Sequence, residues 1–90
     1  MQIKWTILAS DDLEAIQDYI HAENPVVAKE FISVLREKIE RLKDFPLLGS
    51  PGVLPSTRRL VIHKNYIVHY MKEDDAIIIV RLLHARRKFP

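Results

Sequence analysis

Gln2 to Leu8 alternates apolar and polar side chains before turning fully apolar, the period of two that predicts a first strand. Ser10 reads as an N-cap, and Asp11, Asp12 and Glu14 add negative charge where a helix N-terminus favours it, so a helix is predicted from near Asp11 to about Ala22. Ala9, Leu13, Ile16 and Ile20 form its apolar stripe. Asn24-Pro25 closes that helix and opens the next, because proline disfavours the helical conformation in the residue before it yet suits the first helical position. From Val26 to Lys43 the stripe continues through Ala28, Phe31, Ile32, Leu35, Ile39 and Leu42, with Glu37 and Arg41 at the favourable i,i+4 spacing. The segment from Pro46 to Pro55 holds three prolines and both glycines and reads as a loop.

Beyond the loop the period returns to two. Arg58 to His63 and Tyr66 to Met71 are predicted strands joined by a two-residue Lys64-Asn65 hairpin. A regular register puts Arg59, Val61, His63, Tyr66, Val68 and Tyr70 on one face. Leu60, Ile62, Ile67 and Met71 then take the other, as an apolar face for the helices, with His69 as its odd polar member. The first of these faces is the expected working surface. Lys72 to Asp75 is an acidic turn, and Ala76 to Leu83 is a nearly continuous apolar run rich in β-branched residues that predicts a central strand buried on both sides. Arg81 interrupts it and requires a carboxylate or an anionic ligand nearby. The element order predicts an α+β fold, β-α-α-β-β-β, with a two-helix hairpin packed on a mainly antiparallel four-stranded sheet.

Ninety residues, 48% of them hydrophobic and 29% charged, fit one domain over residues 1–90 and exclude a multidomain enzyme and a disordered chain. With no cysteine there is no disulfide scaffold, zinc ribbon or thiol nucleophile. The N-terminus lacks the pattern of a signal peptide and no apolar run approaches a membrane span, so a cytoplasmic location without membrane contact is expected. Charge divides along the chain: residues 1–45 carry six Lys and Arg against nine Asp and Glu, and residues 46–90 carry eight against three. A basic C-terminal half suits an anionic partner, nucleic acid or an acidic protein surface, and it equally suits a solvated face.

No P-loop, glycine-rich fingerprint, nucleophile elbow or metalloprotease motif is present, and the spacing of His21, His63, His69 and His84 matches no metal site. Neither metal nor cofactor is expected. RNA cleavage by 2′-hydroxyl attack needs a base, an acid and a cation. His84 or Tyr66 can supply the acid and Arg59 or Arg81 the cation, but no carboxylate has a claim to the base. His84 can equally close the sheet by hydrogen bonding. Arg58 and Arg59 can bind an anion or stand in solvent, Tyr66 and Tyr70 can stack bases or pack into the sheet, and Trp5 is most simply a packing residue. A DNA-binding repressor is disfavoured, because the basic residues avoid the helices and no helix-turn-helix pattern is present.

Order and spacing over nearly the whole chain resemble the ParE toxins of bacterial type II toxin-antitoxin systems, the plasmid stabilisation group within the RelE/ParE superfamily. The resemblance rests on Trp5, Ala9 and Asp12-Leu13, on Ile16 with Tyr19-Ile20, and on Asn24-Pro25 with Ala28 and Phe31. It continues through Leu42, Phe45-Pro46, Gly49 and Arg58 to Leu60, then Tyr66-Ile67-Val68-His69-Tyr70 and Ile79 to Arg87. It implies a toxin silenced by a ParD-like antitoxin and directed at DNA gyrase by binding. The alternative it carries is a RelE-like mRNA interferase acting on the ribosome. Isoleucine follows Tyr66 where RelE-type nucleases have arginine, which leans toward ParE, whereas His84 approximates a catalytic histidine of some RNA-cleaving relatives. The target- or antitoxin-binding residues expected on this basis are Arg58, Arg59, Tyr66, Arg81, His84, Arg86 and Arg87.

Overall fold

The computed structural model describes residues 1–63 and 65–89. Strand β1 (Gln2–Trp5) leads without a loop into helix α1 (Ile7–Glu23), and helix α2 (Pro25–Arg41) follows after one residue. Strands β2 (Ser50–Pro51), β3 (Thr57–His63), β4 (Tyr66–Glu73) and β5 (Ala76–His84) complete a five-stranded sheet ordered β1-β5-β4-β3-β2. All neighbours pair antiparallel except β1 and β5, which are parallel. The α+β fold is the expected one, with a helical hairpin over the sheet. The fifth strand is β2, two residues of the expected loop that pair with Arg58 and Arg59.

α1 begins at Ile7, earlier than the Ser10 cap predicts, because Thr6 performs two tasks. Its amide still extends the ladder to the Ile79 carbonyl, 3.0 Å away. Its hydroxyl donates to the Val80 carbonyl at 2.8 Å and accepts the Ala9 amide at 3.0 Å, which caps the helix. Ile7 and Leu8 therefore belong to the helix and lie exposed on it. Asn24 closes α1 by donating its amide to the Ile20 carbonyl and opens α2 by accepting the amides of Val26 and Val27. Pro25 occupies the first turn, as expected.

The faces of the sheet differ from the regular register. Leu60 pairs with Val68 and Arg58 with Tyr70, while His63 still opposes Tyr66, so β3 gains one residue at a bulge around Ile62. One extra residue exchanges the faces of the strand beyond it. Tyr66, Val68 and Tyr70 consequently lie under the helices with Leu60 and Ile62, and Val68 and Tyr70 are fully buried. Arg59 and Val61 join Ile67 and His69 on the helix-free face. The expected working surface, with Arg59 and Tyr66 side by side, does not exist. A second irregularity leaves Val80 unpaired between His69↔Arg81 and Tyr70↔Ile79, which lets Ile77, Ile79 and Leu82 all reach the core. Together with Phe31, Leu35, Ile39 and Leu42 of the α2 side they hold the hairpin to the sheet. Each fully buried aliphatic of this kind stabilises the fold by about 1.5–3 kcal/mol. The expected Lys64-Asn65 turn includes residue 64, and the basic tail ends at residue 90; both lie outside the described residues.

Candidate functional site

The seven residues expected at the site fall into three places. Arg58 is the first. Its guanidinium donates to the Gly49 carbonyl from Nε at 3.0 Å and from Nη2 at 2.6 Å, and to the Leu47 carbonyl at 3.3 Å. Beside it the Tyr70 hydroxyl donates to the Pro46 carbonyl at 2.8 Å and accepts the Gly49 amide at 2.9 Å. Loop and sheet approach so closely that a Cβ on Gly49 would meet the Arg59 carbonyl and the Tyr70 ring. Arg58 thus straps the loop to the sheet. Tyr70, fully buried, has no face to offer a nucleobase.

The helix-free face holds the second group. Arg59, His69 and Arg81 form one row across β3, β4 and β5. His69 is buried, and the Phe89 ring stacks on it at 4.4 Å with an interplanar angle of 26°. Burial, then the charges of Arg59 and Arg81, push the His69 pKa below its ordinary value and favour a neutral imidazole. Arg81 finds the carboxylate its position requires. Its Nε and Nη2 donate to Asp12 at 2.7 and 2.9 Å, and the Leu82 amide donates to the same carboxylate at 3.0 Å. Burial alone would raise the Asp12 pKa, but these hydrogen bonds and the charges of Arg81 and Arg87 outweigh it and hold the carboxyl below its usual range.

At the hairpin end of the sheet stand Tyr66, His84, Arg86 and Arg87. Tyr66 meets Phe31 edge-on at 5.1 Å and His84 at 5.4 Å, and burial followed by the neighbouring Tyr19 raises its phenol pKa. His84 Nδ1 accepts the Arg86 amide at 3.1 Å. A shallow cleft of about 210 Å³ is bordered by Asp12, Tyr19, Tyr66, His84 and Arg87. Arg86 and Arg87 are exposed in the turn after β5.

Sequence reasoning missed Asp12, Tyr19, His69 and Phe89. The signals for the first and third were present: Arg81 demanded a carboxylate, and His69 was the one polar residue on its predicted apolar face. Among the described residues no three His, Asp or Glu side chains gather into a metal site, and no helix is long and apolar enough to cross a membrane.

A family model described as the ParE toxin of the type II toxin-antitoxin system parDE matches residues 3–89. Toxin RelE2 of Caulobacter vibrioides is 34% identical over 86 residues, which cover 96% of this chain and 97% of that protein. Y4kP of Sinorhizobium fredii is 31% identical over 90 residues, covering 99% and 93%. A solved structure described as the chromosomal ParDE TA system from P. aeruginosa superposes with a TM-score of 0.80 at 25% identity, over 93% of this chain and 95% of that one.

Proposed function

The chain belongs to the ParE toxin family of type II toxin-antitoxin systems, and from that premise we propose that it arrests growth by binding DNA gyrase rather than by turnover, and that a ParD-like antitoxin silences it. One observation carries the binding reading. The only carboxylate bordering the His84 cleft among the described residues is Asp12, and it is fully engaged by Arg81 and the Leu82 amide. A general base works best with a pKa near the operating pH, whereas this carboxyl is held low. Arg58 and Arg81 are likewise occupied within the chain, which leaves Tyr66, His84, Arg86 and Arg87 at the hairpin end for a partner, with Arg59 apart from them on the helix-free face. No metal or cofactor enters this reading.

A second reading has an observation of its own. Arg59 and His69, whose burial favours the neutral imidazole, stand in one row and could provide a cation and a base for 2′-hydroxyl attack, the chemistry of a RelE-type mRNA interferase. Against it, Phe89 covers the imidazole and Asp12 holds the second arginine. Supercoiling of relaxed plasmid by purified gyrase separates the two readings. The binding reading predicts inhibition by this protein in proportion to its occupancy of gyrase, relieved by antitoxin; full supercoiling activity at saturating protein overturns it.

A further inference from the structure

Ile67, His69 and Leu83 are only 6%, 6% and 3% exposed although no helix covers their face of the sheet. Val61, paired with Ile67 on that face, is 54% exposed, so the face is open over β3 and closed over β4 and β5. What closes it is the C-terminal segment. After His84 the chain turns at residues 85–87, and Phe89 comes back to stack on His69. His84 opposes Tyr66, and Tyr66 lies about 10 Å along β4 from His69, so the returning chain passes over the Ile67 and Leu83 pair. The segment has few other ties. Among the described residues its main chain reaches beyond β5 only through the Ala85 amide, which donates to the Asn65 carbonyl at 2.7 Å, while the amides of Arg86 and Arg87 turn back on His84.

The ring under Phe89 is titratable. Among the described residues the charges acting on it are the guanidinium groups of Arg59 in β3 and Arg81 in β5; α1 contributes Asp12, which is bound by Arg81, and the segment itself carries Arg86, Arg87 and Lys88. A protonated imidazole would be attracted to the Phe89 face by about 0.5–2 kcal/mol. Keeping a charged ring out of water costs several kcal/mol, and the two guanidinium charges add repulsion, so the charged ring is better placed uncovered. We propose that residues 85–89 form a latch, docked on the helix-free face by Phe89 over His69 and released when that imidazole takes up a proton. Closed, the latch holds Arg86 and Arg87 in one arrangement; open, it frees them and bares Ile67, His69 and Leu83. Phe31, Tyr70, Ile79 and Leu82 pack on the other face of the sheet, so opening is local. The latch is independent of the toxin-antitoxin reading.

An NMR titration of the whole chain from about pH 7.5 to about 5 tests it, with the histidine ring shifts and the backbone ¹⁵N relaxation read in the same samples. The amides of Arg87, Lys88 and Phe89 are rigid at the start and become mobile at the midpoint of the His69 titration, while those of Val68 to Tyr70 and Ile79 to Leu82 stay rigid. His69→Gln removes this pH dependence. In Phe89→Ala the segment is mobile throughout, and the His69 ring becomes about tenfold easier to protonate, a rise of about one pH unit in its midpoint. A segment whose mobility does not change through the His69 midpoint overturns the proposal, and so does a His69 midpoint that is the same in Phe89→Ala and the wild type. Loss of order in β4 and β5 at that same midpoint makes the event global unfolding and overturns it as well.

Discussion

Asp12 and Arg81, 69 residues apart in the chain, form a two-pronged ion pair that ties α1 to the stretch of β5 lying past the end of β1. β1 stops at Trp5, opposite Ile79, so the edge of β5 from Val80 onward would otherwise present bare backbone groups. Thr6 takes the Val80 carbonyl and Asp12 takes the Leu82 amide, so side chains at the start of α1 finish the ladder that the strand leaves open. Both partners of the pair are largely shielded, with side-chain exposures of 20% and 12%. Replacing Asp12 by Ala leaves a half-buried guanidinium and an amide unsatisfied. Asp12→Ala is expected to cost about 2 kcal/mol in urea unfolding, well beyond the effect at an exposed ion pair such as Glu37 with Arg41.

The same pair sets an acid limit. The folded Asp12 pKa lies below its ordinary 3.8, so its contribution is complete above that value and is lost as pH falls through the folded pKa. The urea midpoint of the wild type should therefore drop steeply on acidification below about pH 4, and Asp12→Asn should flatten that drop.

His69 acts in a different window. Its folded pKa lies below 6.5, so around that pH the unfolded chain binds more protons than the folded one and acid favours unfolding. Stability should decline on going from about pH 7.5 to about 5.5, and His69→Gln should remove most of that slope. Imidazole shifts in an NMR titration identify the residue directly: the His69 ring should stay neutral at pH values where a free imidazole is half protonated.

Tyr70 links β4 to the loop through one hydroxyl that both donates and accepts. Tyr70→Phe keeps the buried ring but strands the Gly49 amide and the Pro46 carbonyl. A loss of about 1–2 kcal/mol is expected, with faster amide exchange confined to the segment from Pro46 to Gly52.

What the sequence reveals depends on how local each determinant is. The junction at Asn24-Pro25 and the stripe from Ala28 to Leu42 are set by neighbours in the chain, and the helical hairpin is legible from them. The start of α1 is not, because Thr6 becomes a cap only when the β5 carbonyl is in place to receive its hydroxyl. The exchanged faces of the sheet follow from the bulge at Ile62, and nothing in residue type distinguishes Ile62 from any other strand isoleucine. At the site, the need of Arg81 for a carboxylate is legible, while the identity of that carboxylate waits on tertiary packing. Tyr70 and Arg58 look like surface residues in sequence, and only the close approach of the Gly49 loop makes them internal straps.

Arg86 and Arg87 are exposed in the turn after β5, and Arg87 borders the His84 cleft. Exchanging both for Glu should weaken the antitoxin complex by about tenfold or more. Salt separates the two proteins further: wild-type affinity should fall as ionic strength rises, and the doubly exchanged variant should lose that dependence or reverse it. Circular dichroism melts should show little change, since neither side chain is buried.

The proposed mode of action, occupying a target rather than cutting RNA, leaves translation running when growth stops. Incorporation of labelled methionine in the first minutes after induction without antitoxin tests it most directly. Growth should halt while incorporation continues at its initial rate. A prompt collapse of incorporation, abolished by His69→Ala in a protein that still folds, would contradict it and make the row of Arg59 and His69 the seat of catalysis.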